Sequence, residues 1–318
     1  MLPSSHCCSN PPFTKASHSQ KLLCKYHFTE MIEGRVRKSI NRYSMLEKED
    51  HVGLGFSGGK DSMVLIHILS TFLKKYPNSK LTAITVDEGI KGYRDECLNL
   101  TRRITKDYQI NHIIVSFKDL YGITLDQITD ISQKKNFSFS ACAMCGILRR
   151  RAINYAGKEI GASKIATAHN LDDEAQSILL NIVRGDSKKF IRLSRNPIQK
   201  YSELIPRIRP FVRISEPEIV LYAYAKSLEY HSYPCPYAYS AMRNDVRGFV
   251  SEMERIRPHT LINIVNLHDK ILDLVPNTDQ MTIPPKKCNK CGEVSNRQPC
   301  PVCELFEELG IEKSSPHQ

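Results

Sequence analysis

No stretch of the 318-residue chain approaches the ~20 consecutive apolar residues that a membrane-spanning helix needs, and its first residues lack the basic-then-apolar layout of a secretion signal. A cytoplasmic protein with no membrane partner is therefore expected. A repeat of solenoid length is also missing, as is the Walker A spacing G-x-x-x-x-G-K-[ST]. These absences exclude membrane carriers, repeat arrays and the P-loop class of nucleotide-binding proteins. Acidic side chains are in deficit, with 34 against 45 basic ones, which leaves a formal net charge of +11. Such an excess fits either a polyanionic partner, whose phosphates release counterions to Lys and Arg, or simply a solvated basic surface.

The chain is not short of cysteine. Eleven are present, at 7, 8, 24, 97, 142, 145, 235, 288, 291, 300 and 303. In a reducing compartment their grouping argues for metal ligation or redox chemistry rather than a disulfide framework. Cys97, alone on a helical stretch, reads as a small buried apolar residue.

Composition divides the chain into a polar, Pro- and Cys-containing start (1–28), a central zone (46–275) and a Cys-, Pro- and Lys-rich end from Pro284. In the central zone apolar runs at His51–Phe56, Leu81–Val86, His112–Phe117 and Lys164–Thr167 alternate with segments of helical periodicity. These helices are expected over Met63–Phe72, Tyr93–Tyr108, Gly146–Ile160 and Asp172–Val183. The alternation means βαβ units, hence an α/β fold with a doubly wound parallel sheet. Residues 185–213 read as basic and irregular. Ser215-Glu216-Pro217-Glu218 offers a capping box for a helix reaching Tyr230, with two further helices near Ser240–Arg255 and Pro258–Val275.

Between the first strand and the first helix of this zone lies Ser57-Gly58-Gly59-Lys60-Asp61-Ser62. Glycines there let the backbone wrap tightly and aim successive N–H groups at an anion, and the helix N-terminus adds partial positive charge. Lys60 can neutralise a phosphate, Ser57 and Ser62 can bond its oxygens, and Asp61 can orient water or help hold Mg²⁺. This loop resembles the pyrophosphate loop of the PP-loop ATPases, which cleave ATP between its α and β phosphates and adenylate an oxygen of their substrate. His169-Asn170-Leu171-Asp172-Asp173-Glu174, after the fourth strand, matches the second element of that family. The resemblance implies that His169, Asp172 and Asp173 reach ATP or its Mg²⁺. Ala168 stands where many relatives have glycine.

Cys142-Ala143-Met144-Cys145 opens a helix, and Cys235 lies between Pro234 and Pro236. Three sulfurs could hold a [4Fe-4S] cluster with one iron left for a non-protein ligand. The alternatives are a dithiol redox pair at 142 and 145, with Cys235 merely packed. The helix N-terminus is expected to lower the thiol pKa values. Cys142-x-x-Cys145-Gly146, Arg149-Arg150-Arg151 and Cys235-Pro236-Tyr237-Ala238 together resemble the tRNA 2-thiouridine synthesis branch of the PP-loop superfamily, the group of TtuA and archaeal NcsA. The resemblance in motif and order spans about Cys24 to Leu305. It implies a [4Fe-4S] cluster on Cys142, Cys145 and Cys235, with Arg149 beside the reacting phosphate and Lys60, Asp61 and Asp173 as further catalytic residues.

Cys288-x2-Cys291-x8-Cys300-x2-Cys303 forms two knuckles that can close a tetrahedral Zn²⁺ shell, supplying folding energy to a tail too small for its own core. At the other end Cys8, Cys24 and His27 offer part of a second zinc site, with loss of zinc there as the alternative. The family's first knuckle is broken there, because Ser5 stands three residues before Cys8; Cys7, His6 and His18 are candidate fourth ligands. The expected organisation is a degenerate zinc-finger-like segment (1–30), a PP-loop catalytic domain (31–213), a helical extension (214–280) and a zinc ribbon with tail (281–318).

The function these features imply is ATP-dependent tRNA uridine 2-sulfurtransfer. Asn181-x-x-Arg184-Gly185-Asp186 and Arg243–Phe249 resemble the wobble-uridine enzymes more than the T-loop ones. Arg184, Lys188, Lys189, Arg192, Arg195, Lys200, Arg207, Arg209 and Arg149–Arg151 are candidate contacts to tRNA phosphates, with plain solubility as their other reading. Sulfur would come from a ubiquitin-like thiocarboxylate carrier or from sulfide, and zinc sites at both ends are consistent with a homodimer. Two alternatives stand beside this reading. A lysidine-forming PP-loop ligase needs no cysteine triad, and a non-catalytic zinc-ribbon RNA-binding protein would keep only a vestigial nucleotide fold.

Overall fold

A computed structural model describes residues 8–15, 21–193, 204–238, 243–274 and 286–311. The chain opens with an antiparallel pair, β1 (Thr14–Lys15) and β2 (Leu22–Leu23), followed by helix α1 (Lys25–Arg42). Strand β3 (His51–Gly55) leads into α2 (Lys60–Leu73) and β4 (Lys80–Asp87) into α3 (Arg94–Asp107). After β5 (Asn111–Ser116) come the short α4 (Phe117–Tyr121), α5 (Leu125–Lys134) and the long α6 (Ala141–Glu159). Strand β6 (Lys164–Ala166) precedes α7 (Leu171–Val183) and α8 (Ser187–Arg192). Next, β7 (Arg207–Ile208) precedes α9 (Glu216–Ala225), α10 (Arg243–Ile256) and α11 (Thr260–Leu274). A second antiparallel pair, β8 (Lys286–Lys287) with β9 (Val294–Ser295), and α12 (Pro301–Leu309) follow.

Strands β3 to β7 form one parallel sheet in the order β5-β4-β3-β6-β7. The chain winds outward from β3 through β4 to β5, then returns to place β6 on the other side of β3. That reversal opens a crevice at the carboxyl ends of β3 and β6, where open α/β sheets bind ligands. Val52 and Leu54 of β3 are fully buried, because helices cover both faces.

On one face α2 is apolar nearly all round, with Met63, Val64, Leu65, Ile66, Ile68 and Leu69 buried, because it is wedged between the sheet and α9 and α1. The pyrophosphate-loop helix is thereby fixed from every side. On the other face Ile84, Val115, Leu148 and Ala152 share one core with Val302, Leu305, Phe306 and Leu309 of the ribbon. A smaller cluster joins α7 to α10 and α11 through Leu171, Ile178, Val250, Leu261 and Val265.

The sequence expectations meet the structure closely in the alternating zone, and the Ser215–Glu218 capping box is formed. Several elements add to them, and α8 lies in the stretch expected to be irregular. Residues 207–208, expected to be irregular, pair with β6 and extend the sheet; two residues are too few to show a period. Helix α1 buries Phe28, Ile32, Val36 and Ile40, and α5 buries Leu125 and Ile128 under a Thr124–Gln127 capping box.

Two local features generate predictions. Gly89, in the turn after β4, has φ +70°, and a Cβ there would lie 2.6 Å from Thr124 Cγ2. Gly89→Ala combines a left-handed backbone penalty with that clash, so denaturant unfolding should show a loss of about 1–3 kcal/mol. His112 sits between Thr85 and Thr105, its Nε2 2.8 Å from Thr85 Oγ1, while Thr85 donates to Phe56 O at the entrance of the 57–62 loop. Burial, with Arg102 adding to it, lowers its pKa to about 4. As pH falls from 6.5 towards 4 the unfolded chain takes up a proton that the folded imidazole refuses, so stability is lost across that window. Melting temperature against pH should flatten there in His112→Gln.

Candidate nucleotide and thiol site

The crevice holds a cavity of about 320 Å³ lined by residues from the ends of three strands. Gly55, Phe56, Ser57, Gly59, Asp61 and Ser62 come from β3 and its loop, Val86, Glu88 and Arg94 from β4 and after, and Thr167, Ala168, His169 and Asp173 from β6 and after. Arg149 and Ile153 of α6 close one side. Gly58 turns the loop at φ +82°, a conformation that favours glycine, and Gly59 caps α2 with extended backbone. The first N–H groups of a fourteen-residue helix are thus presented at the crevice, a ready anion site. Ser62 Oγ lies 3.2 Å from Ser57 Oγ and donates to Gly59 O at 2.9 Å, which locks the loop.

Most expected nucleotide residues meet in this cavity, but Gly58, Lys60 and Asp172 are not among its lining. Lys60 Nζ contacts Glu216 Oε1 at 2.7 Å and Asp61 Oδ2 at 2.9 Å. Burial works to discharge this ammonium, yet the two carboxylates outweigh it and hold the pKa above the usual lysine value. Glu216 also pairs with Arg247 at 2.7 Å, and its backbone N–H donates to Asp172 Oδ2 at 2.8 Å. Asp172 thus caps α9 and, being buried, has a raised pKa. Asp173 forms a capping box with Asn170, whose Nδ2 donates to Asp61 Oδ1 at 3.2 Å and ties the two motifs together.

Glu88 is buried between two guanidinium groups, with Arg94 Nε at 2.8 Å and Arg149 Nη2 at 2.7 Å. Two cations around one carboxylate leave a net positive charge on this side of the cavity. Arg149 Nη2 also donates to Cys145 Sγ at 3.4 Å, so one guanidinium touches both the cavity and the thiol pair. Glu88, Arg94, Asn170 and Glu216 fall outside the roles assigned from sequence. The signal for Glu88 is its place just past the carboxyl end of β4, and for Asn170 its place before three helix-opening acids.

The Cys142 thiol donates to Tyr237 O at 3.0 Å, which seats the Cys235 segment against the first turn of α6. The same segment is pinned to the loop by the His231 N–H, which donates to Gly58 O at 2.9 Å. Cys235 packs against the core that holds Cys145. The expected lowering of the thiol pKa values is not found. Burial pushes Cys142 up and Cys145 to about 11, outweighing the help from Arg149.

The ribbon thiols of Cys288, Cys291, Cys300 and Cys303 lie within 4.8 Å of one another, with Sγ–Sγ separations of 3.7 Å (288–303), 3.7 Å (291–300) and 3.4 Å (300–303). A tetrahedron of sulfurs ~2.3 Å from zinc has edges of about 3.8 Å, so the donor set fits that ion. Burial opposes ionisation of Cys288, but N–H groups of residues 300, 290 and 291 prevail and pull its pKa to about 6. Arg151 Nη1 donates to Cys291 Sγ at 3.3 Å and to Cys300 Sγ at 3.6 Å. At the other end Cys8, Cys24 and His27 also converge within 4.8 Å; His6, Cys7 and His18 lie outside the described residues.

Among the candidate RNA contacts, Arg207 and Arg209 turn inward. Arg207 donates to Arg150 O and Asn154 Oδ1, and burial lowers its pKa to about 10; Arg209 pairs with buried Glu174 at 2.6 Å. Arg184, Lys188 and Lys189 are exposed, whereas Arg195 and Lys200, like the Arg192 side chain, lie outside the described residues.

Residues 29–254 match the PP-loop domain family. Cytoplasmic tRNA 2-thiolation protein 1 of Chlamydomonas reinhardtii is 37% identical over 293 residues, covering 92% of this chain and 80% of that protein. Its namesake in Drosophila melanogaster is 34% identical over 319 residues, covering 97% and 90%. The structure of the U34-tRNA thiolase NcsA from Methanococcus maripaludis with its [4Fe-4S] cluster superposes with a TM-score of 0.84 at 32% identity, covering 99% of each chain. The chain belongs to the PP-loop family, in the branch of the cytoplasmic tRNA 2-thiolation proteins.

Proposed function

We propose that the protein is a cytoplasmic ATP-dependent tRNA uridine 2-sulfurtransferase acting at the wobble position. The observation that carries the reading is the Arg149 guanidinium, which joins the nucleotide cavity to Cys145. The names of the relatives and of the similar thiolase support the substrate and compartment. Activation must precede sulfur transfer, because a carbonyl oxygen leaves poorly and AMP leaves well.

In this reading the N–H groups at the start of α2 and the hydroxyls of Ser57 and Ser62 cradle the phosphates of ATP, and Lys60 exchanges its carboxylate partners for them. Asp61 and Asp173 face the cavity as Mg²⁺ ligands, and His169 lies at its β6 side. Arg149, held by Glu88, stabilises charge on the α-phosphate as the uridine O2 attacks and pyrophosphate leaves. Cys142, Cys145 and Cys235 fit a [4Fe-4S] cluster: all three donors are sulfur, two share one helical turn, and the third is held against it by Tyr237. Such a cluster, when bound, supplies an iron free of protein ligands that can carry the sulfur to be transferred. Cys288, Cys291, Cys300 and Cys303 hold structural zinc, and Cys8, Cys24 and His27 supply three ligands of a second ion.

Mass spectrometry of tRNA nucleosides from a strain lacking the protein should show loss of 2-thiouridine at the wobble position; unchanged levels would refute the reading. With purified protein, Lys60→Ala should lower tRNA-dependent pyrophosphate release by roughly 10²-fold or more. Cys142→Ser should keep that release and lose thiolation, which separates this enzyme from a lysidine-forming ligase. Arg151→Leu removes two N–H···S donors from the ribbon thiolates, so a colorimetric chelator should extract zinc faster than from the parent, most visibly as pH falls.

A further inference from the structure

A second pocket, of about 600 Å³, lies outside the nucleotide cavity and borders the cysteine motifs through Met144, Pro236 and Tyr237. One wall is the end of α5 and the turn after it, with Gln133, Asn136, Phe137 and Phe139; the other is formed by Ser140 and Tyr237. The second wall adjoins the thiols of α6. Ser140 caps α6, accepting from the Ala143 N–H, and the backbone carbonyl of Tyr237 holds the Cys142 thiol at 3.0 Å.

The chemistry of the lining is specific. Phe137 and Phe139 stack with centroids 5.1 Å apart and planes at 14°, and Phe139 remains 45% exposed. A stacked pair at a pocket wall, with an outer ring still open to solvent, presents a flat π surface. Beside it stand the exposed amides of Gln133 and Asn136, each carrying both donor and acceptor. Asn136 holds φ +50°, which places it in a tight turn at the end of α5. The basic residue Lys134 is exposed on the same turn of chain, and Lys135 is tied to Leu309 O at 2.9 Å. Tyr237 Oη donates to Asp126 Oδ1 at 2.7 Å, which occupies one oxygen of that carboxylate.

We infer that this pocket receives an unstacked nucleobase of the substrate RNA, from a nucleotide neighbouring the one that reacts. An aromatic face, two amides and a nearby lysine are the groups that bind single-stranded bases: stacking supplies affinity, amides meet the base edge, and the cation meets the backbone. Its wall is shared with the cysteine helix, so a base parked here holds the loop open while the adjacent uridine enters the cavity beside Arg149. The inference rests on the RNA reading above and adds to it the site that splays the loop.

Fluorescence anisotropy with the full-length protein and a labelled anticodon stem–loop RNA tests it. Phe139→Ala should weaken binding about 5- to 100-fold. The dependence of affinity on salt should stay as in the parent, since no phosphate contact is lost. Phe139→Trp should bind as well as the parent or better, and Lys134→Ala should reduce the salt slope. Thermal melting and ATP-only binding should be unaltered in Phe139→Ala, whose side chain is half exposed. Parent-like RNA affinity in Phe139→Ala overturns the inference and leaves the proposed function standing. So does a defect confined to sulfur delivery by a carrier protein. Failure of the parent itself to bind the hairpin overturns both readings.

Discussion

A single buried carboxylate sets the electrostatics of the site. Glu88 lies at the carboxyl end of β4 with almost no contact with water, and only the two guanidinium groups of Arg94 and Arg149 make that burial tolerable. Removing either arginine leaves a charge stranded in a dry setting, and removing Glu88 leaves two cations facing each other. The triad therefore acts as a unit that holds Arg149 in one place. That place borders both the cavity and Cys145, and it is set by Glu88, a residue from neither the 57–62 loop nor the cysteine motif.

Two backbone carbonyls tie the thiol side together. The segment bearing Cys235 is anchored at the Gly58 carbonyl through the His231 N–H and at the Cys142 thiol through the Tyr237 carbonyl. Neither anchor depends on side-chain identity at its carbonyl end. Gly58 itself must remain glycine for its φ, so the phosphate loop and the sulfur loop are fixed by one turn.

Much of this was legible in sequence where function is local. Ser57–Ser62 sits inside one strand–turn–helix unit, His169–Asp173 inside another, and the paired cysteines at 142/145, 288/291 and 300/303 are each separated by one turn of chain. What was not legible depends on distant pairs. Lys60 meets Glu216 across 156 residues, so its parked position has no local signature. Strand β7 is two residues long and is defined by its neighbour rather than by a period. The thiol pKa values illustrate a contest of magnitudes: a helix N-terminus favours thiolate, but only the folded core reveals how much water Cys145 has lost. Arg207 and Arg209, alike in sequence to their exposed neighbours, turn inward because Asn154 and Glu174 are there to receive them.

The ribbon has no core of its own. Phe306 and Leu309 complete the apolar side of the helix that carries Met144, Cys145 and Leu148. Those ribbon residues follow α6 in the chain and leave the ribosome after it, so that side of α6 stays uncovered until the ribbon docks. A chain lacking the ribbon would keep the Ser57–Ser62 loop yet display bare hydrocarbon along α6, the kind of surface that chaperones and proteases recognise.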